Sequence, residues 1–483
     1  MRLAQQKKAS FIRLAATGLL ALLTLLGPFP SGPNQAWAGL FGKFTIKDEV
    51  ELGKKFSTLI RSKLPLAEDP EIVEYVEDVT KRLYEAMPPI PFNLETSVVR
   101  NNAMNAFAAP AGYVFVFTGL IHHLEHESEM AGVIAHELGH VSQRHIAHRI
   151  ENMQLVSLGT LAGVVAGIFI GQGSDNTGQA GQALIAGSIA GGHSAMLKYS
   201  REDEREADQV GMNTLVAAGY PPSGLVGAFK KIRRQKWLGG GGMPAYLSTH
   251  PGIEERIGYL EDRIPRLPLK IQNRKDDDAR FLRIQTLVRA RYLDPETALP
   301  YFRGPEEGPS SLNYLGRGIV YARLHKVSLA GEAFKNALSL APNDPLILRE
   351  AGRFHFKQGD LNLAGKYLQK AALLNPKDLM VLFYYARLLG EKGETGPAAS
   401  YFERVLRKIP EDGQVHYHLG RLLGEAGHLF EAHLHLAYGA LYGMDKKQTK
   451  FHQERARALA KTGEQKQKLE DFEKKFKERS EFW

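Results

Sequence analysis

Four kinds of residue recur in the second half of this 483-residue chain with a constant step of 34 residues. They are a proline, an alanine, a large apolar residue and a glycine, found at Pro342, Pro376 and Pro410; Ala330, Ala364, Ala398 and Ala432; Phe334, Leu368, Phe402 and Leu436; and Gly359, Gly393 and Gly427. A glycine between two helices and a proline after the second helix are typical of stacked helix pairs. One such pair cannot bury its apolar face alone, so the repeats predict a curved solenoid with a concave groove.

The length and residue pattern of the repeat are those of tetratricopeptide repeats. We expect a repeat domain over 275–445. It begins with a degenerate repeat around Ala290 to Phe302, and four well-marked repeats follow. The tail over 446–483 is highly charged and predicts a helix that caps the solenoid. The repeats leave residues 39–270 for a separate domain with its own core.

The N-terminus has the layout of a secretory signal peptide. Four basic residues precede an apolar run over 14–26, and a small-residue triplet at 36–38 offers a cleavage site. We therefore expect residues 1–38 to be removed on export. An uncleaved membrane anchor is the alternative that the same residues allow.

Charge and cysteine content narrow the possible partners and ligands. Removal of the four basic residues of the signal lowers the formal net charge from +9 to +5, and no basic-aromatic stripe argues for nucleic acid. The chain has no cysteine, which excludes disulfides, a thiol nucleophile and thiolate metal ligands. Any bound metal must be held by nitrogen and oxygen.

The segment His136-Glu137-Leu138-Gly139-His140 is the strongest chemical motif. Residues four apart share a helix face, so the two histidines can present their rings to one cation. Glu137 lies beside that cation, where it can move a proton between water and a leaving amine. The pentapeptide also occurs by chance, but here a long apolar helix over 125–150 surrounds it, which makes buried polar groups costly without a metal.

A candidate third ligand lies downstream, in a helix that begins near Ser200. Glu204 and Asp208 are four residues apart on one face, so Glu204 can complete the ligand set while Asp208 orients a histidine. Three protein ligands and an open position are typical of a catalytic zinc site. An acidic solvated face is the simpler alternative for this pair.

A third histidine ligand of the metzincin type is excluded. That class needs glycine and histidine where this chain has Gln143 and Ile146. His145 and His148 lie off the face of the ligand pair, and we expect both to be structural.

The apolar stretch over 155–195 is interrupted by a polar, glycine-containing turn. A buried hairpin or a lid over the active site is the favoured interpretation. A peripheral membrane contact is the alternative, since the first apolar run is at the lower limit for a membrane span.

Together with His250-Pro251 and Arg256, the motifs around His136 and Glu204 resemble the zinc metallopeptidase family of HtpX and the CAAX prenyl proteases. The segment Asn105 to Val116 also resembles that family's strand before the motif helix. The resemblance spans about 45–265, and the C-terminal repeats point to a repeat-bearing branch of the family. It implies an α+β, mainly helical HExxH (gluzincin-type) domain with a small sheet, followed by the α-solenoid.

The resemblance also implies roles for single residues. It implies one Zn²⁺ per chain on His136, His140 and Glu204, with Glu137 as catalytic base and Asp208 as support. His250 either reaches the metal and keeps the enzyme quiescent or, with Arg256, stabilises the tetrahedral intermediate; both roles stay open.

The resemblance further implies a periplasmic endopeptidase of misfolded or stalled outer-membrane proteins, whose repeats dock clients or the assembly machinery. We expect the substrate to lie along the edge of the strand Tyr113–Phe117. A chaperone or scaffold that acts by binding through the repeats is the rival hypothesis. A prenyl-protein peptidase is disfavoured because the sequence has no multi-span membrane core.

Overall fold

The computed structural model describes residues 45–67, 69–152, 199–238, 245–303 and 310–480. The expected signal peptide, the apolar stretch over 155–195 and the glycine run over 239–242 lie outside these ranges. Within them, every helix is too short or too polar to cross a membrane.

The part of the chain before the repeats is α+β and mainly helical, as predicted. Its elements are α1 (Ile46–Lys63), α2 (Pro70–Ala86), β1 (Glu95–Val99), β2 (Ala106–Ala109), β3 (Tyr113–Phe117), α3 (Thr118–His123), α4 (Glu127–Ser142), α5 (His145–Asn152), α6 (Arg201–Ala217), α7 (Ser223–Leu238), α8 (Ala245–Thr249), α9 (Ile253–Arg263) and α10 (Leu269–Gln272). Short 3₁₀ turns cover Pro110–Gly112 and Ile264–Arg266.

The described strands form one three-stranded sheet in the order β1-β3-β2. β3 pairs in parallel with β1 and antiparallel with β2. Phe107, Phe115 and Phe117 pack on one face against α1, while the other face joins the main core. The expectation that Tyr113–Phe117 offers an edge was wrong, because both of its sides are paired and β1 and β2 are the edge strands.

The motif helix is shorter than expected. Arg144 adopts a left-handed backbone conformation (φ 53°), which ends α4 and starts α5, so the single helix expected over 125–150 is two helices. α4 also lies very close to α6. A Cβ atom on Gly139 would lie 2.7 Å from the carbonyl oxygen of Ala207, and one on Gly211 would lie 2.9 Å from the Cα of His136. This approach brings the third ligand within reach of the histidines.

The second half of the chain is a solenoid of helix pairs, which confirms the repeats. A linking helix and a degenerate pair come first: α11 (Ala279–Tyr292), α12 (Pro295–Ala298) and a 3₁₀ turn (Leu299–Phe302). The repeats follow as α13 (Ser311–Arg323) with α14 (Val327–Leu340), α15 (Pro345–Lys357) with α16 (Leu361–Leu374), α17 (Leu379–Glu391) with α18 (Thr395–Leu406), and α19 (Gly413–Glu425) with α20 (Leu429–Tyr442). The tail forms two helices, α21 (Lys446–Leu459) and α22 (Gly463–Ser480), where one was expected.

Local chemistry explains the regular repeat boundaries. Asp344, Asp378 and Asp412 cap the first helices of three successive repeats, each accepting hydrogen bonds from backbone amides of the first turn. The recurring glycines have φ between 78° and 83°, a left-handed conformation that glycine adopts without strain. His325 holds the equivalent position in the first repeat at φ 57°.

The core is continuous from α2 to Phe354 in the second repeat, with α11 between them. A buried ionic cluster, called the junction network below, joins the same elements. Its members are Asp69, Glu71, Arg283, Arg291, Asp344, Arg349, Glu350, Arg353 and Asp378. The domain boundaries at 270 and 275 remain a prediction, and the first repeats pack directly on the preceding domain.

Candidate metal centre

Four predicted residues meet at one buried point. His136 and His140 project from α4, Glu204 comes from the second turn of α6, and His250 follows α8 directly. Each offers one ligand atom, and these four atoms all lie within 4.8 Å of one another. α6 begins where the sequence predicts, because Ser200 and Asp203 form a capping box.

The donor atoms surround a small volume. The Nε2 atoms of His136 and His140 are 3.0 Å apart, and each lies 3.6 Å from a carboxylate oxygen of Glu204. His250 Nδ1 lies 2.9 Å from Glu204 Oε1 and 3.4 Å from His136 Nε2. Two imidazoles and a carboxylate form the donor set that zinc prefers, and His250 supplies a fourth donor.

The charge balance of the centre fits a divalent cation. Burial, followed by the charge of Arg256, lowers the pKa of His136 to about 4, and burial also holds the pKa values of His140 and His250 well below their usual range. The histidines are therefore neutral at pH 7. Three buried carboxylates, on Glu137, Glu204 and Asp208, face the single guanidinium of Arg256. When all three are ionised, the surplus is two negative charges, which one divalent cation would neutralise.

Glu137 lies beside the donors and outside their set. Its Oε2 accepts a hydrogen bond from the amide of Ala108 on β2 (3.1 Å), which fixes the orientation of the carboxylate. Its Oε1 has no hydrogen-bond partner among the described residues, and His250 Nε2 lies 3.4 Å from it. Burial, and then the nearby charge of Glu204, raise the pKa of Glu137 well above its usual range. A raised pKa suits a base that must take up a proton near neutral pH.

Asp208 and Arg256 support the ligands from behind. Asp208 Oδ1 lies 2.9 Å from His136 Nδ1, so it can hold the ring with Nε2 facing the donors. Arg256 pairs with both oxygens of Asp208 at 2.7 and 2.6 Å, and its other terminal nitrogen contacts Glu204. Burial alone would raise the pKa of Asp208, but Arg256 and His136 hold it well below its usual range. Arg256 is therefore placed to position both Asp208 and Glu204.

Sequence reasoning missed several aromatic and histidine contacts. Tyr199 stacks on His140 and Tyr246 stacks on His250, with ring centroids 3.7 and 4.2 Å apart. Tyr259 donates its hydroxyl to Asp208. Its position three residues after Arg256, on one helix face, was an available signal.

We expected His145 to have only a structural role, but it contacts His140. Its Nδ1 lies 2.8 Å from the Nδ1 of the ligand His140, and its Nε2 lies 3.2 Å from Glu206. It can therefore orient His140 from α5, the helix that follows the motif helix. The left-handed turn at Arg144 brings it there, and no local residue pattern indicates that turn.

Known proteins share the part of the chain that builds this centre. The sequence profile of peptidase family M48 matches residues 67–264. Metalloprotease YcaL of Escherichia coli (strain K12) is 32% identical over 186 residues, which cover 38% of this chain and 67% of YcaL.

The beta-barrel assembly-enhancing protease of Escherichia coli (strain K12) is 29% identical over 233 residues, covering 48% of this chain and 47% of the relative. The chain thus spans about half the length of that relative. Among solved structures, YrrB, a TPR protein with an unusual peptide-binding site, is 21% identical, with 36% of this chain and 91% of YrrB covered at a TM-score of 0.30.

Proposed function

The chain belongs to peptidase family M48, and we propose that it is a zinc-dependent endopeptidase of the bacterial periplasm. Its substrates would be misfolded or stalled outer-membrane proteins, and its repeats would dock these clients or the assembly machinery. Partial similarity to the beta-barrel assembly-enhancing protease supports this choice of client. Residues 1–38 would direct export. The buried four-donor cluster with Glu137 beside it is the observation that carries the proposal.

His136, His140 and Glu204 would hold the zinc ion, one per chain. When bound, zinc supplies Lewis-acid chemistry: it polarises a carbonyl and acidifies water. Glu137 Oε1 is the atom that would accept the proton of the attacking water and then pass it to the leaving amine. The hydrogen bond from Ala108 keeps Oε2 occupied, so the proton would be handled by one oxygen.

An extended substrate would lie along β2. It would not lie along Tyr113–Phe117, because that strand is paired on both sides. β2 is one of the two edge strands of the described sheet, and its Ala108 amide contacts the proposed base. A peptide that pairs with this edge would therefore pass close to Glu137.

His250 would keep the enzyme quiescent in the arrangement described. Catalytic zinc sites keep one position open for water or substrate, and His250 supplies a donor at that position. Stacking on Tyr246 and the contact with Glu204 Oε1 hold the ring in place. The ring would have to leave before substrate could bind. His250→Ala should therefore retain zinc and cleave a loosely folded substrate faster than the parent, whereas slower cleavage would assign His250 to stabilising the tetrahedral intermediate.

Glu137→Gln tests the assigned mechanism. The variant should bind zinc as the parent does and lose cleavage of casein by a factor of about 10² to 10⁴, the range for general-base catalysis. Cleavage at the parent rate would show that the mechanism is wrong.

The rival function, a chaperone or scaffold, has one observation in its favour: the solenoid presents exposed aromatic and cationic side chains along its first helices. The same variant separates the two functions. If Glu137→Gln restores all cellular functions in a strain that lacks the gene, binding through the repeats is the main activity.

A further inference from the structure

The first helices of four successive units carry an arginine at the same repeat position. An aromatic residue lies one helical turn earlier in the last three, so the two residue types share a face. The first set, called the arginine ladder below, is Arg353, Arg387, Arg421 and Arg455, and the second is Phe383, Tyr417 and Phe451. The arginines lie on α15, α17, α19 and α21, and the aromatic residues lie on the last three of these helices.

The ladder is continuous from one repeat to the next. Arg353 Nε donates to the hydroxyl of Tyr384 in the following repeat (2.8 Å). The guanidinium of Arg387 lies 4.8 Å from the ring centroid of Phe356 in the preceding repeat. These contacts, with the packing of α17 against α15 and α19, place Arg353, Arg387 and Arg421 on one face, and Arg455 holds the equivalent position on α21.

The ladder is short of negative charge. Within the described ranges, Arg387 and Arg455 form no salt bridge with a carboxylate, and Arg353 has only Glu350 at 3.6 Å. Arg421 pairs with Glu425 at 3.0 Å, four residues along the same helix, and both side chains are more than half exposed. Such an exposed pair contributes about 0.3–0.5 kcal/mol and is readily exchanged for another partner.

Large rings are exposed beside these cations. Tyr417 and Phe451 are 46% and 47% exposed, and the guanidinium of Arg455 lies 5.6 Å from the ring of Phe451. The face thus offers a row of guanidinium groups with a parallel row of rings one helical turn away. A ligand with carboxylates and apolar side chains would match both features.

We propose that the arginine ladder binds an extended polypeptide segment in which Asp or Glu residues alternate with aromatic or aliphatic residues. Guanidinium groups pair with carboxylates in bidentate geometry, and the neighbouring rings would contact the apolar side chains. A curved solenoid presents an elongated groove, which suits a single extended chain better than a flat bilayer. The proposal deepens the docking role proposed above by naming the chemistry of the client, and peptide binding can be measured without cleavage.

Arginines on this face could also act only as links between repeats, through their ring contacts. Arg404 offers a matched control for that role. It lies on the second helix α18, its guanidinium is 5.1 Å from the ring of Tyr401, and it donates to the carbonyl of Pro376 in the preceding linker (3.4 Å). It therefore has the same kind of ring contact away from the ladder.

Fluorescence anisotropy with the full chain tests the proposal. The Glu137→Gln background prevents cleavage, and the probe is a labelled unstructured peptide of alternating Glu, Gly and Phe residues. We expect salt-sensitive binding, weakened about tenfold or more when Arg421→Gln and Arg455→Gln are combined. Arg404→Gln should bind as the background protein does, and a peptide with Lys in place of Glu should bind at least about tenfold more weakly.

Equal binding of the two peptides, or unchanged binding by the double variant, would overturn the proposal. If the double variant does not fold, Arg455→Glu decides the question, because this side chain is exposed and should still weaken binding of the acidic peptide. Ladder-dependent binding of phosphatidylglycerol vesicles or an oligonucleotide as tight as that of the peptide would also overturn it, since the face would then be a general polyanion site.

Discussion

The chain contains two clusters of buried charge, and they are balanced differently. In the metal centre three carboxylates face one arginine. In the junction network five carboxylates face four arginines. Burial raises the pKa of Glu204 in the metal centre to about 7. In the junction network burial acts in the same direction on Glu350, but Arg291 and Arg349 outweigh it and hold its pKa well below the usual range.

The difference shows how to tell a structural network from a functional site. Charges that nearly neutralise one another in a protein interior fix neighbouring elements in one arrangement, here the first repeats against the preceding domain. A surplus of one sign is costly unless a ligand supplies the opposite charge. The surplus at Glu137 and Glu204 therefore points to a bound cation, and the balance around Arg349 points to a fixed junction.

The largest expected effect comes from making the same substitution in each cluster. Glu204→Gln removes a ligand oxygen with its charge, so zinc binding and peptide hydrolysis should both fall by about 10² or more. Glu350→Gln should leave the zinc content and the hydrolysis rate of the folded enzyme unchanged. Metal analysis and initial rates on casein check both variants. Comparable losses of hydrolysis in the two variants would contradict the distinction between a functional site and a structural network.

The stability of the metal-free protein should change differently in the two variants. Glu350→Gln removes the carboxylate that pairs with Arg291, Arg349 and Arg353, so the free energy of unfolding should fall by about 3–5 kcal/mol. Glu204→Gln removes a surplus charge, and the change should stay within about 1 kcal/mol of the parent. Urea unfolding with a chelator present measures both. A larger loss for Glu204→Gln than for Glu350→Gln would contradict the charge balance described here.

Acid should weaken the junction network. The pKa of Glu350 is lower in the folded chain than in the unfolded chain, so at pH values near the ordinary glutamate pKa the unfolded chain binds more protons. The stability from this carboxylate is present above about pH 4.3 and is lost as the pH falls below it. Urea unfolding between about pH 6 and pH 3, again with chelator, should give a shallower pH dependence for Glu350→Gln than for the parent. Identical slopes would mean that the pKa of Glu350 is the same in the folded and the unfolded chain.

The smallest effect is expected behind the metal ligands. Tyr259→Phe removes the hydroxyl that donates to Asp208, while Arg256 keeps two hydrogen bonds to the same carboxylate. Zinc affinity should fall by about tenfold, the lower limit for such supporting groups. Competition with a chromogenic chelator measures it, and unchanged affinity would show that Arg256 alone holds Asp208.

Local patterns made much of this molecule predictable. The repeats follow from periodic residues whose contacts lie within one or two neighbouring units, and the residue pairs around His136 and Glu204 follow from helical spacing. The capping box at Ser200 fixed the start of α6. These features depend on residues that are close in sequence.

The remaining features depend on contacts between distant segments. β2 consists of three alanines and Phe107, a composition with little strand preference, and it forms only because β3 pairs with it. Arg349 contacts the carboxylate of Glu71, a residue that is distant in the sequence. No local pattern indicates this contact. The tail looked like one charged helix because the break before Gly463 carries no proline.

Metal analysis of the purified full chain tests the central claim most directly. After incubation with zinc and removal of the excess, the parent should hold one zinc ion per chain, His136→Ala should hold none, and Glu350→Gln should hold one as the parent does. A parent protein without tightly bound metal, or a His136→Ala variant with a full complement, would contradict the assignment of the buried charge surplus to a zinc site.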